Sequence, residues 1–282
     1  MTDIVVVGSV NLDFSATVAR LPAPGETITG ATLSRFPGGK GANQALAAKR
    51  LGTNVRLLAC VGEDAVADEA LALLREGGVE LSGVQVLRDS QTGVALICVD
   101  PSGENQIVVA PGANAAMDPA AIDPGAADAL ICQLEVPADA IARVANEFQG
   151  FFCANLAPAT EVDARVLQRA DLVIVNETEA AWYGDTLKAC GGLVATTYGA
   201  RGASLRKNGA LIAEAEPPAV TAVDTVGAGD AFTAALTVAL VEGAEPVKAL
   251  RFACAAGAAA ATRAGAQPSL PMRDEVEALL RL

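Results

Sequence analysis

The chain of 282 residues contains no histidine. A general base must therefore be a carboxylate or, less readily, a Lys, Tyr or Cys side chain. Ser-His-Asp and Cys-His catalysis are excluded. Basic residues are scarce as well: 20 Lys and Arg stand against 33 Asp and Glu, a net charge of −13. Nucleic acid and anionic membrane both need a basic footprint, so neither is an expected partner. Backbone amides and one metal ion can still supply local positive potential for a small phosphorylated ligand.

Other features are missing too. The six cysteines (Cys60, Cys98, Cys132, Cys153, Cys190, Cys254) lie far apart with no metal-ligand or redox spacing. Reduced, buried thiols are expected. No apolar stretch approaches membrane-spanning length, and Met1-Thr2-Asp3 passes into a strand without a basic leader,. The expectation is a soluble, cytoplasmic protein. There is no internal repeat and no disordered linker. A hydrophobic fraction of 52% is enough for one large α/β domain, or one domain with an inserted lobe.

The order of elements fits that class. Ile4 to Val7 is a continuous apolar run of the buried parallel kind,. It delivers Asn11 and Asp13 just past its carboxyl end, where open α/β sheets hold ligands. Asp13 either starts a turn or, with Asn11, contacts a polyol. Phe14 to Val18 and Thr27 to Leu33 read as short strands, and Val94 to Asp100 and Gln106 to Val109 as a hairpin around Pro101-Ser102-Gly103,. These strand-rich pieces interrupt the βα pattern and are expected to pair as a small lid sheet. Helices are expected over Ala42 to Arg50 and Ala65 to Glu76. From Leu130 to Thr197 strands and helices alternate regularly, which predicts right-handed crossovers and a doubly wound, mostly parallel sheet. The tail is helical over Ala231 to Val241, Pro246 to Arg263 and Arg273 to Leu282.

Three stretches carry chemistry. Ala222 to Phe232, Ala-Val-Asp-Thr-Val-Gly-Ala-Gly-Asp-Ala-Phe, is a glycine turn feeding a helix. Such a turn leaves backbone N–H groups without internal partners, and with the helix dipole they make an anion site. Asp230 sits inside it. It is either an N-terminal Asp favoured by the dipole, or a base that takes a proton from a hydroxyl attacking a phosphoryl group. Gly38-Gly39-Lys40-Gly41-Ala42-Asn43-Gln44 is not a P-loop, because Gly41 follows Lys40 where Ser or Thr is required. Its glycines let backbone approach a ligand, and Asn43 can hydrogen-bond hydroxyls. The first strand also lacks a dinucleotide-binding glycine turn. Asn176-Glu177-Thr178-Glu179 follows a buried strand. It either holds Mg²⁺ through waters beside a phosphate or closes a helix capping box. Thr197-Tyr198-Gly199-Ala200-Arg201-Gly202 is either a tight hairpin entry or a wrap for nucleotide phosphates.

In order and spacing, Gly-Gly-Lys-Gly-Ala-Asn-Gln-Ala, Asn-Glu-Thr-Glu-Ala and Asp-Thr-Val-Gly-Ala-Gly-Asp-Ala-Phe resemble the motifs of the ribokinase-like carbohydrate kinases. The likeness runs along the whole chain, including Gln133-Leu134-Glu135 and Gly265-Ala266-Gln267-Pro268-Ser269. It implies one ribokinase-like α/β domain over 1–282, with a lid formed by insertions at roughly 12–37 and 91–110. It implies transfer of the γ-phosphoryl group of ATP to the O5 hydroxyl of D-ribose. Within the family the alternatives are 2-deoxyribose, another sugar or a nucleoside, and outside it a non-catalytic sugar or nucleotide sensor.

Site roles follow from the same resemblance. Asn11, Asp13, Gly39, Lys40, Asn43, Glu135 and Asp230 would hold the sugar, with Asp230 the base and Gly227, Ala228 and Gly229 the anion hole. Asn176, Thr197, Gly199, Arg201, Gly202, Gly229 and Cys254 would hold ATP, and Glu179 would serve its Mg²⁺. Asp224, Val226, Ala260, Arg263, Gly265 and Ser269 would surround a monovalent cation, K⁺ by expectation, and the lid sheet would pair two copies as a homodimer. The chain departs from the family in two places. Only one short helix fits between Glu179 and Thr197, which trims the nucleotide side. The usual Asn-Pro-Ala-Pro is Asn155-Leu156-Ala157-Pro158 here, expected to alter only a local turn.

Overall fold

Strand β1 (Asp3–Val7) alternates its side chains between two apolar interiors, Ile4 and Val6 facing one and Val5 and Val7 the other. A strand buried on both faces needs helices above and below it. The computed structural model describes residues 1–101 and 103–281. After β1 come β2 (Asn11–Thr17), β3 (Thr32–Gly38), α1 (Lys40–Arg50), β4 (Asn54–Gly62), α2 (Ala65–Ala70), α3 (Ala72–Glu76), β5 (Val84–Leu87), β6 (Gly93–Val99) and β7 (Asn105–Ala110). An alternating stretch follows: β8 (Ala129–Gln133), α4 (Ala138–Glu147), β9 (Phe151–Asn155), α5 (Ala164–Arg169), β10 (Leu172–Asn176), α6 (Glu177–Tyr183) and β11 (Leu193–Thr197). The hairpin β12 (Ala203–Lys207) and β13 (Ala210–Ala215) leads to α7 (Ala228–Val241), α8 (Pro246–Ala260), α9 (Ala266–Ser269) and α10 (Arg273–Leu279).

The large sheet runs β13-β12-β11-β10-β9-β8-β1-β4-β5. Its strands are parallel from β5 to β11, and β12 and β13 are antiparallel. One interior packs α1, α7 and α8 on the sheet through small side chains such as Ala45, Ala234 and Ala256; the other packs α4 and α5 through Ile141, Val144 and Leu167. The doubly wound sheet expected from the alternation is therefore present. A second sheet, β3-β2-β6-β7, is built from the two strand-rich pieces, with β2 parallel to β6. No helix among the described residues is long and apolar enough to cross a membrane.

Several boundaries move. The second strand of the small sheet is Thr32–Gly38 rather than Thr27 to Leu33, because Gly30 at φ 85 breaks the chain before it. Pro37 then sits opposite Leu12 on the outermost strand, where a missing N–H costs no ladder bond. β2 starts at Asn11, three residues earlier than the apolar pattern indicates, since its polar residues face a cleft rather than a core. The helix expected over Ala65 to Glu76 is interrupted at Leu71, yet Leu71 N–H still donates to Ala67 O (3.0 Å) and Arg75 N–H to Leu71 O (3.0 Å). β5 was not expected; it is a short, partly exposed edge strand with no apolar run. Helix α7 starts at Ala228 instead of Ala231, so Gly229 is helical and only Gly227 (φ 82) turns the chain. The turn between β6 and β7 includes Ser102, and the last helix was expected to reach Leu282; both residues lie outside the described ones.

Helix α1 begins where the chain crosses the end of β1, and the two backbones touch there. A Cβ on Gly41 would lie 2.6 Å from Gly8 Cα and 2.6 Å from Ser9 N, both main-chain atoms that cannot swing aside. Gly41→Ala is expected to push α1 off β1 at roughly 1–3 kcal/mol, lowering the thermal midpoint by several degrees. A midpoint equal to wild type in calorimetry would show that the contact yields.

Candidate active site

A cleft of about 340 Å³ opens between the carboxyl edge of the large sheet and one face of the small one. Asn11 and Asp13 of β2 line it, together with Gly39, Lys40 and Asn43 at the start of α1, Glu135 after β8 and Asp230 in the first turn of α7. The strand register sets Ala95 beside Asp13 and Val109 beside Ala95, so Ala95, Ile97, Ile107 and Val109 share the cleft-facing side. The residues expected to hold a sugar are thus gathered on one wall and floor.

At the floor, Gly227 in the left-handed region reverses the chain into α7. Ala231 N–H closes the first helical bond on Gly227 O (2.9 Å), and Ala228 N–H turns back to Thr225 O (3.2 Å). The amides of Gly227, Gly229 and Asp230 have no acceptor among the described residues. Of the three amides expected to form an anion hole, that of Ala228 is used in the turn, whereas that of Asp230 is free among the described residues. The Asp230 carboxylate is gripped from α1, with Asn43 Nδ2 donating to Oδ2 (2.8 Å) and Gln44 Nε2 to Oδ1 (2.8 Å). Asn43 Oδ1 is buried and has no hydrogen-bond partner among the described residues.

Electrostatically the cleft holds too many carboxylates for its one lysine. Burial, then Glu135 and Asp230, push the Asp13 carboxyl up to about 7 against the pull of Lys40. Burial likewise raises Asp230, opposed by Lys40 and by the amides of Asn43 and Gln44. Burial raises Glu179, opposed by the Asn176 amide and Lys40. Burial alone would lower Lys40, but Asp230, Glu135, Glu179 and Asp13 outweigh it and hold the ammonium protonated. Glu135 Oε2 accepts from Ser9 Oγ at 2.5 Å and from Lys40 backbone N–H at 3.1 Å. Such a site has more acceptors than Lys40 and the free amides can serve, and favours groups that donate hydrogen bonds,.

A second cavity of about 570 Å³ meets the first at Asn176, Thr197, Thr225 and Gly229. Gly199 and Gly202 line one side, Pro217, Pro218 and Val220 another, and Ala228, Phe232, Cys254 and Ala258 the floor. Burial pushes the Cys254 thiol up to about 11, so it is a neutral packing group. Arg201 does not line this cavity; its guanidinium pairs with Glu177 and lies 5.5 Å from the Tyr198 ring. Asn176 and Glu179 form the capping box, Asn176 Oδ1 accepting from Glu179 N–H (2.8 Å) and Glu179 Oε2 from Asn176 N–H (2.7 Å). That leaves one Glu179 carboxylate oxygen without a hydrogen bond among the described residues, in a side chain that lines the first cleft.

Beside the glycine turn, Asp224 accepts from Val226 N–H (3.0 Å) and Gly265 N–H (2.8 Å). It clasps Val226 to the loop that carries Arg263, Gly265 and Ser269. The Arg263 side chain pairs with Glu275, its N–H donates to Ala260 O (3.3 Å), and Ser269 Oγ donates to Ala266 O (2.8 Å). No group of three or more Cys, Asp or Glu among the described residues is arranged to hold a metal ion. Chain carbonyls are the donors these loops offer.

Sequence reasoning missed Asn114, Asn155 and Thr225. Asn114 donates to Asn11 Oδ1 (2.8 Å) from a buried turn after β7, a contact that no local pattern announces. Asn155 lines the cleft from the end of β9; its place at a strand's carboxyl end was the available signal. The peptide Ala157–Pro158 beyond it is cis.

The model of the family described as pfkB family carbohydrate kinase matches residues 1–273. A ribokinase of Haemophilus influenzae is 34% identical, over 96% of this chain and 95% of its own. The crystal structure of ribokinase from Thermotoga maritima superposes with a TM-score of 0.91 at 34% identity, covering 100% of both chains. The structure of Arabidopsis thaliana ribokinase complexed with ribose and ATP gives a TM-score of 0.88 at 31% identity, covering 100% of this chain and 99% of that one. The chain belongs to the pfkB family of carbohydrate kinases. It is an ATP-dependent sugar kinase.

The raised Asp13 carboxyl predicts a pH dependence. Its folded pKa lies above the ordinary 3.8, so ionising it costs folding stability, and that cost grows as pH climbs from about 4 to about 7. Hydroxyls that donate to the ionised form reverse part of this cost, so sugar binding releases a proton. kcat/KM for the sugar should therefore rise with pH to a midpoint near 7 and then level. Asp13→Asn should remove that limb; a midpoint unchanged in the variant would assign it to another group.

Proposed function

We propose that this kinase transfers the γ-phosphoryl group of ATP to the O5 hydroxyl of D-ribose, with Asp230 as the general base. The position of Asp230 carries the reading. Its carboxylate lines the cleft within one helical turn of the free Gly227 and Gly229 amides, where an attacking hydroxyl and a phosphoryl oxygen would meet. Asp13 and Asn11, with Gly39, Lys40, Asn43 and Glu135, hold the sugar hydroxyls. As O5 attacks the γ-phosphorus, Asp230 takes the hydroxyl proton, the bond to the ADP oxygen breaks, and the amides of the turn stabilise the charge on the transferring group.

ATP occupies the second cavity. The adenine lies among Pro217, Pro218 and Cys254, and the phosphates run past Thr197, Gly199 and Gly202 to Gly229. Glu179, with its unbonded oxygen, and Asn176 would hold Mg²⁺ through water, and the ion would neutralise polyphosphate charge. K⁺ would sit among the carbonyls of Val226, Ala260, Arg263 and Gly265 with Asp224 and Ser269, ordering the Gly227 turn. The small sheet acts as the lid. Ile107 and Val109 face the cleft yet remain 52% and 48% exposed, apolar surface that closure over a sugar would remove from water. The opposite face exposes Leu96 and Val108 and would pair two copies as a homodimer.

Asp230→Asn keeps the shape and removes the base. Turnover should fall ~10²–10⁴-fold while ATP still binds; near-wild-type kcat would place the base elsewhere. A panel of ribose, 2-deoxyribose, fructose and adenosine, assayed by ADP release with and without K⁺, tests the substrate. Ribose should exceed 2-deoxyribose by about tenfold or more in kcat/KM, since a missing hydroxyl leaves a buried acceptor unpaired. K⁺ should raise the rate over a large organic cation at matched ionic strength. A better rate on 2-deoxyribose or a nucleoside would overturn the ribose assignment, and equal rates in both cations would overturn the K⁺ site.

A further inference from the structure

Behind Asp230 lies a chain of amides whose inner members, Gln44 and Gln133, touch neither cavity. Gln44 and Gln133 are fully buried and line neither the sugar cleft nor the nucleotide cavity. Gln44 Nε2 donates to Asp230 Oδ1 (2.8 Å) and to Asn155 Oδ1 (3.0 Å), and Gln133 Nε2 donates to Gln44 Oε1 (2.6 Å). All of the hydrogen-bonding capacity that fixes the Gln44 amide is thus in use. We infer that Gln44, held by Gln133 and Asn155, is a positioning residue that keeps the inner oxygen of Asp230 an acceptor and leaves its cleft-facing lone pairs to take the proton. The inference rests on the reading of Asp230 as the base.

The direction of every bond in the chain is set by a group that cannot reverse. The Ile174 carbonyl can only accept, and Asn155 Nδ2 donates to it (3.2 Å). Asn155 therefore turns Oδ1 toward Gln44, so Gln44 must present its NH₂ group there, and the second hydrogen of that group points at Asp230. A proton on the Asp230 Oδ1 lone pair that faces Gln44 would leave two donors facing each other. Asn43 Nδ2 imposes the same condition on the Oδ2 lone pair that faces it, so a proton goes to a lone pair that neither amide occupies. The polarity runs from the ends of β8 and β9 to the base.

Gln133 bears a cost in this arrangement. Its Oε1 is buried without a partner, and a Cβ on Gly8 would lie 2.0 Å from it. An unpaired buried acceptor opposes folding; what the structure gains is a fixed donor on Gln44. The charged groups facing Asp230 are Lys40 of α1, Glu135 after β8 and Asp13 of β2, and none is altered by changes at Gln44 or Gln133.

The test is the pH profile of kcat at saturating ribose and ATP, which reports groups in the ternary complex. Gln44→Leu removes one charge-assisted bond to the carboxylate. The acid limb should move upward by about one pH unit, with KM for both substrates within about twofold of wild type. Gln133→Leu should move the limb the same way by less, and it serves as the variant if Gln44→Leu does not fold. An acid limb that stays in place in folded, ATP-binding protein, or a rise in KM with kcat unmoved, overturns the positioning role alone. Full turnover in Asp230→Asn, run alongside, overturns the base assignment and this inference with it.

Discussion

The grip of α1 on Asp230 is the interaction on which the rest of the site depends. Asn43 and Gln44 reach a carboxylate 187 and 186 residues further along the chain and so lock the N-termini of two helices together. For both side chains to arrive, α1 must start against the end of β1, which the facing Gly8 and Gly41 allow. Helix α7 must start in one step from Gly227, which its left-handed φ allows. A carboxylate buried this deeply would be neutral in an apolar pocket; amide donors and Lys40 counter the desolvation. Packing, turn chemistry and electrostatics all converge on one oxygen pair.

The same balance explains how a chain with a net charge of −13 can serve a polyanionic nucleotide. The negative surface neither steers nor repels strongly over the short range that matters, because exposed charges are screened within about 10 Å. Inside, positive potential comes from the free amides at the start of α7 and from Lys40, the lysine at the centre of the carboxylates. On the proposed reading the surplus of carboxylates around Lys40 has a use. Hydroxyls of a sugar are donors, and each one bound relieves an acceptor that burial has already stripped of water.

Much of this was legible in the sequence because it is local. The glycine turn into α7, the capping box at Asn176 and Glu179, and the buried strand before Asn11 each declare themselves within a few residues. So does the βα alternation that sets the large sheet. What was hidden depends on partners distant in sequence. Asn155 and Gln44 meet only after the sheet has formed, Asn114 orients Asn11 from across a turn, and Arg201 pairs with Glu177. Strand ends also escaped the local pattern. β2 starts before its apolar pattern because Asn11 and Asp13 are polar, and β3 starts late because Gly30 breaks the chain before it. Asn11 and Asp13, which break the strand pattern of β2, border the cleft.

The small sheet shows why such breaks are tolerated. Its strands need a register in which alternate residues face opposite ways, and one slip would exchange the two faces. The pairing of Asn11 with Gly93 and Asp13 with Ala95 keeps both polar side chains on the cleft side with Ile97 and Ile107. On the lid reading, that mixed face is what closure needs: polar groups over the hydroxyls and branched apolar groups around them to exclude water. A purely apolar face would stay shut on the large sheet without substrate, and a purely polar one would gain nothing by closing. On that reading the sugar would supply the missing donors, closure would be favourable only when it is present, and Asp230 would meet a dry hydroxyl rather than bulk water.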